Sequence, residues 1–161
     1  MSDDVKPLDP AEMACWRAVI EASQRLLTQL EDDLRETGEL GFADYHVLVL
    51  LSEAPKQRLR MGELAHKLIF SPSRLTYHVG TMERRGLVVR EPCPDDRRGS
   101  QAVLTATGLL ALRDAAPHHL RSVRRWFVDD LDAAEIAVLT KVFTRLGERL
   151  TAARGADPAS G

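Results

Sequence analysis

A chain of 161 residues with 44% hydrophobic and 29% charged side chains lies within the range of one ordinary globular domain. No run approaches the roughly 18 consecutive apolar residues of a membrane span, and the acidic start Met1-Ser2-Asp3-Asp4 lacks the layout of a signal peptide, so a cytoplasmic protein with no membrane partner is expected. Two cysteines, Cys15 and Cys93, cannot build a disulfide framework, and a net charge of −2, taken whole, argues against a nucleic-acid partner.

The charge, however, is unevenly spread. Residues 1–55 carry −8, residues 56–100 carry +5 and residues 101–161 carry +1. Phosphate binding depends on the local density of Lys and Arg, so this basic island in an acidic protein retains the electrostatic footprint of a nucleic-acid site.

In chain order, Asp9-Pro10-Ala11-Glu12 has the spacing of a capping box with proline in the first turn. Trp16, Val19, Ile20, Ser23, Leu26, Leu27, Leu30 and Leu34 follow at helical steps, which predicts a long amphipathic helix ending at Gly38. The stretch from Phe42 to Leu51 is apolar on most sides and stops before Pro55, the pattern of a buried central helix. Met61 to Leu68 forms a short helix with Leu64, Ala65 and Leu68 on one face. Ser71 and Pro72 open another, with Leu75, Val79 and Met82 facing inward and Gly86 ending it. Its opposite face carries Ser73, Arg74, Tyr77, His78, Thr81 and Arg84, with Thr76 alongside.

The period then changes. Leu87–Glu91 and Gln101–Leu104 read as two strands of a hairpin around a long charged tip, 92–100. Thr105 caps a helix through Leu109, Leu112, Ala116, Leu120, Val123 and Phe127, within which Pro117 is expected to make a kink or local break. Leu131-Asp132-Ala133-Ala134-Glu135-Ile136 opens a last helix with Ile136, Leu139, Val142, Leu146 and Leu150 on one side. The tail 155–161 is small and polar, with the composition of a disordered end.

The expected fold is mainly α with a small β-hairpin wing: a winged helix-turn-helix over 41–104 (helix-turn-helix 61–86, wing 87–104), between a tail and helix at 1–40 and helices at 105–154 that form a dimerisation domain. In such a fold the second helix of the pair fits the major groove and the hairpin tip reaches the flanking minor groove. Tyr45 to Pro55, Met61-Gly62-Glu63-Leu64-Ala65, Ser71-Pro72-Ser73-Arg74-Leu75-Thr76, Glu83-Arg84-Arg85-Gly86-Leu87-Val88, Asp95-Asp96-Arg97-Arg98-Gly99 and Val103-Leu104-Thr105-Ala106-Thr107-Gly108 together resemble the MarR family of transcriptional regulators over residues 11–150. The wing's Asp-x-Arg and the following Leu-Thr-x-x-Gly are the specific part.

The resemblance implies that Ser71, Ser73, Arg74, Thr76, Tyr77 and His78 make base and phosphate contacts, that Arg98 enters the minor groove while Asp96 holds the loop, and that the terminal helices pair in a homodimer on a pseudo-palindromic double-stranded operator. A guanidinium suits a narrow minor groove because of its negative potential. Arg97 is a phosphate candidate, and Arg84, Arg85 and Arg90 suit either the DNA backbone or a solvated helix end equally. The leucine stripes of residues 16–34 and 136–150 exceed what a small DNA lobe can cover, which supports the dimer independently.

Relatives also bind small aromatic or phenolic effectors. Trp16, Tyr45, Leu48, His119 and Leu120 are the candidates to line such a pocket, although one Trp on an apolar face more often serves core or interface. Cys15 is the candidate redox thiol, with a small buried residue as the preferred reading; Cys93, between two prolines, is expected to be exposed. His46, His118 and His119 suggest a metal, but adjacent histidines on a helix point about 100° apart, so no metal or cofactor is assigned. No Gly-rich phosphate loop or hydrolase motif supports an enzyme. A repressor released by an effector is the expected function, with a Cys15-based redox repressor and a winged helix used only for protein contacts as rivals.

Overall fold

The computed structural model describes residues 5–38, 40–94 and 96–155, without the side chains of Thr37, Arg97, Arg98 and Arg154. Two compact units result, Met1–Val123 and Arg124–Gly161.

In the first unit, α1 spans Pro10–Thr37 and begins with the expected capping box: Asp9 Oδ1 accepts from the Glu12 amide at 2.8 Å and Glu12 Oε2 accepts from the Asp9 amide at 2.9 Å. The apolar stripe of α1 is only partly used. Leu30 and Leu34 are buried, whereas Trp16, Ile20 and Leu27 are exposed. Helix α2 (Phe42–Glu53) supplies the centre of the core through Val47, Leu48 and Leu51, all fully buried. Onto it fold α3 (Met61–Leu68) and α4 (Pro72–Arg84), whose Leu75, Val79 and Met82 point inward as their spacing predicts. Ser71 caps α4 by accepting from the Arg74 amide, and Gly86 leaves it at φ 72°, where a side chain would be strained. The turn between α3 and α4 places Ile69 at φ 58°, an uncommon conformation for a β-branched residue.

The sheet has three strands rather than two, in the order β1 (Arg58–Arg60), β3 (Asp96–Leu104), β2 (Val88–Cys93), all antiparallel. Three residues are too few to show an alternation, so β1 left no trace in the sequence pattern. The hairpin strands are also longer than expected and the tip correspondingly shorter. Pro92 faces Ser100 but Cys93 faces Asp96, so 97–99 have no counterpart on β2 and form a bulge.

Helix α5 (Ala106–Val123) starts at Thr105, whose hydroxyl accepts from the Gly108 amide at 2.9 Å and lies 2.6 Å from the Gly86 carbonyl, its hydrogen-bond acceptor. A Cβ on Gly108 would stand 2.0 Å from the Leu87 carbonyl oxygen, so only glycine lets α5 approach the end of α4 this closely. The Leu104-Thr105-x-x-Gly108 motif is therefore a joint. No local break occurs at Pro117, through which α5 runs as one helix. Proline removes one donor and leaves the Arg113 carbonyl without its helical partner, but both residues are exposed and water can serve it.

The second unit begins with a π-helical turn, Arg124–Val128, in place of the α-helix expected through Phe127. Helix α6 (Ala133–Gly155) opens with the expected reciprocal bonds between Asp132 and Glu135. Ile136, Val142, Leu146 and Leu150 on α6 are all exposed.

Candidate nucleic-acid interface

Residues on the outward face of α4 are set by its inner stripe. With Leu75, Val79 and Met82 buried, Ser73, Arg74, Thr76, Tyr77 and Arg84 are exposed, and Ser71 stands at the N-cap beside Ser73. Thr76 and Thr81 each donate to the carbonyl four residues earlier, on Pro72 and Tyr77. Tyr77, 76% exposed, is a large ring that nothing in the first unit covers.

His78 differs from the rest of this row. Its ring is half-buried, packs edge-on against Phe70 (centroids 5.9 Å, 89°), and sets Nε2 3.2 Å from Asp44 Oδ1, too oblique for a well-formed hydrogen bond but within ion-pair range when protonated. Asp44 is 6% exposed, at the start of α2; its other oxygen accepts from Arg85 Nη1 at 2.6 Å and from the Gly41 amide at 3.2 Å. Burial pushes the Asp44 pKa up, but the close approach of His78, the hydrogen bonds from Arg85 and Gly41 and the Arg85 charge outweigh it and hold the carboxyl at about 2. A buried carboxylate thus ties the middle and the end of α4 to α2. The sequence does not reveal this pair, because its partners lie 41 residues apart and Asp44 looks like an ordinary acid in a first helical turn.

The basic island divides into paired and unpaired cations. Arg58 meets Glu91, Arg60 meets Asp96, Lys67 meets Glu63, Arg85 meets Asp44 and Arg90 meets Glu83. Glu83 is held below the ordinary carboxylate value chiefly by the Arg90 amide and side chain. Among the described side chains of the island, Lys56, Arg74 and Arg84 have no carboxylate partner; Arg84 donates to Thr81 and the Arg74 guanidinium lies 4.0 Å above the Phe70 ring. Arg97 and Arg98 sit by their backbone in the β3 bulge, and their side chains lie outside the described set.

Asp96 lies against that bulge. Its carboxylate reaches Arg60 at 3.6 Å and occupies the space over Gly99, where a Cβ would lie 2.7 Å from Oδ2 and 3.2 Å from Cys93 Sγ. The cysteines reverse the expected order. Cys93 is buried because the hairpin closes over it, whereas Cys15 is exposed because the N-terminal turns of α1 lie beyond the core.

Of the expected effector residues, Tyr45 and His119 meet, with ring centroids 4.4 Å apart, and Phe42 and His46 join them. Leu48 is instead sealed in the core, and Trp16 and Leu120 are exposed, so these five line no common cavity in the first unit. Burial lowers the pKa of both His46 and His119, the latter also through the charge of His46, and raises that of Tyr45. A separate open cleft of about 360 Å³ lies between α1, α5 and the end of α4, lined by Leu34, Leu40, Arg85, Leu87, Ala111 and Asp114 among others. Among the described residues no three His, Cys, Asp or Glu side chains gather to hold a metal ion, and no helix is long and apolar enough to cross a membrane.

A helix-turn-helix with an exposed polar row on its second helix, followed by a sheet hairpin with basic residues at its tip, defines a winged-helix DNA-binding fold. Residues 39–99 match the family model described as MarR family. AbsC, a MarR family transcriptional regulator from Streptomyces coelicolor, is 42% identical, with 91% of this chain and 98% of that one covered and a TM-score of 0.86. Sco3205, a MarR family regulator from the same organism in complex with DNA, is 35% identical over 98% of this chain and 95% of its own, with a TM-score of 0.88. The HTH-type transcriptional regulator MhqR of Bacillus subtilis is 28% identical over 108 residues, 67% of this chain and 72% of MhqR. The chain belongs to the MarR family of transcriptional regulators.

Proposed function

We propose that the protein is a repressor that binds a pseudo-palindromic DNA operator as a homodimer and leaves it when a small aromatic or phenolic effector binds. The carrying observation is the outward row Ser71, Ser73, Arg74, Thr76, Tyr77 and Arg84 on α4, together with unpaired Arg74 and Arg84 in an island whose other described arginines are matched to carboxylates. The Arg97-Arg98 bulge of β3 adds the wing contact, Arg98 in the minor groove and Arg97 on phosphate, with Asp96 as the loop's brace. That Sco3205, 35% identical, forms a complex with DNA supports DNA binding by this fold.

Dimerisation is favoured by the exposed apolar residues of α1 and, separately, of α6. Two copies of α4 about one helical turn apart, on the order of 34 Å, then require a two-fold-symmetric site. Release requires that the effector prefer a conformation that does not fit DNA. The ring cluster of Phe42, Tyr45, His46 and His119 is the aromatic surface offered to it.

The test is a fluorescence anisotropy titration of the protein's own upstream DNA at several salt concentrations. Several phosphate contacts give a steep linear fall of log affinity with log salt, and Arg98→Ala weakens binding by about 1–3 kcal/mol. No specific retention of that DNA would favour a protein-contact module, and unchanged affinity for Arg98→Ala would remove the wing assignment.

A further inference from the structure

Arg74 is held differently from every other described cation of the basic island. It occupies the first turn of α4, is exposed, and has no carboxylate partner, yet its guanidinium is not loose: it lies 4.0 Å above the Phe70 ring. Phe70 is in turn met edge-on by His78, whose Nε2 is 3.2 Å from Asp44, and Asp44 is anchored at 2.6 Å to Arg85. A continuous chain of contacts, Arg74 to Phe70 to His78 to Asp44 to Arg85, thus runs from the outer surface of α4 into the core and back to the end of the same helix.

A phosphate contact has no need of such a support, because a flexible cation finds a phosphate oxygen from many directions. A base contact does need it. The guanidinium fork must present two N–H groups in one plane to guanine O6 and N7, and a guanidinium stacked on a ring keeps its N–H edges free while losing rotamer freedom before binding. The first turn of a recognition helix is also where base edges are reached.

We propose that Arg74 reads a guanine in each half-site of the operator, and that Phe70, His78 and Asp44 are positioning residues that fix its fork before DNA arrives. The proposal rests on the DNA-binding reading above and assigns His78 a role through Phe70 instead of a DNA contact.

The full-length protein and its Arg74→Ala, Arg74→Lys, Phe70→Leu and Phe70→Tyr variants are each used to select sites from a randomised duplex library. Anisotropy then compares the duplex selected by the wild type with one in which a symmetric G·C pair per half-site becomes A·T. The wild type is expected to enrich such a G·C pair and to lose affinity on the order of 10- to 100-fold when it is swapped. Both Arg74 variants become nearly indifferent to the swap. Phe70→Leu loses most of the discrimination with its salt dependence unchanged, and Phe70→Tyr, which keeps the ring, restores it.

If Arg74→Ala weakens both duplexes equally and flattens the salt slope by about 0.9 per protomer, Arg74 is a phosphate contact and the proposal is overturned. Full discrimination by Phe70→Leu overturns the positioning role. Enrichment of no duplex by the wild type overturns the DNA-binding reading, and this one with it.

Discussion

Replacing Asp44 by Asn keeps the side-chain volume and removes the charge that Arg85 and His78 face. Folding lowers the Asp44 carboxyl from the ordinary 3.8 to about 2, so the native state binds fewer protons than the unfolded chain in this range. The stability this charge contributes is therefore fully present above the unfolded value and is lost as pH falls toward 2. The displacement corresponds to about 2 kcal/mol, and because Asn also leaves Arg85 without its anion, the expected loss at pH 5 is about 2–4 kcal/mol. Urea unfolding followed by circular dichroism, at one fixed protomer concentration, measures it for both proteins at pH 5 and pH 3. The gap between them is expected to narrow by about 1 kcal/mol at pH 3, since part of the wild-type charge is then lost. An equal gap at both pH values would show that Asp44 acts through shape and packing, and the electrostatic reasoning would fail.

Other consequences of the fold are open to simpler checks. Gly108→Ala forces a Cβ to within 2.0 Å of the Leu87 carbonyl oxygen and should destabilise by about 3 kcal/mol; a thermal melt lowered by roughly 6–12 °C is expected, and an unchanged one would contradict the close approach. Ile69→Asn relieves a β-branched residue at φ 58° that is 63% exposed and so has little burial to lose; a gain of about 1 kcal/mol should raise the melting temperature by about 2–4 °C, and a lower one would refute the strain. In a Cys15→Ser variant the remaining Cys93 should react with an aromatic disulfide reagent only after urea is added; immediate native reaction would show that the hairpin does not cover it.

Local chemistry was legible in the sequence and distant pairing was not. The starts at Asp9, Ser71, Thr105 and Asp132 were readable because a cap is a bond between residues three apart, and the inner face of α4 because its period is that of the helix. Strand β1 escaped notice since Arg58–Arg60 is defined only by its partner Gln101–Val103. The two cysteines were misplaced for a related reason. Whether Cys93 is covered depends on the register in which Pro92 and Ser100 pair, and whether Cys15 is exposed depends on how far along α1 the core extends. On the outward face of α4, residue type and helical period were enough to place Arg74 and Tyr77 at the surface. The reach of Asp44 to Arg85 and His78 was not, because burial of a charge is a property of the assembled core.

The joint formed by Gly86, Leu87, Thr105 and Gly108 has an architectural consequence. The chain enters and leaves the wing at one point, where the Thr105 hydroxyl lies 2.6 Å from the Gly86 carbonyl and the Gly108 backbone abuts Leu87. The hairpin is thus pinned at its base by this neck, by β1 and by the Arg90–Glu83 pair, and residues added or lost at its far end, around Pro94, change how far the wing extends without altering the pitch between α4 and α5. The extension of the hairpin and the orientation of α4 can in this way vary independently.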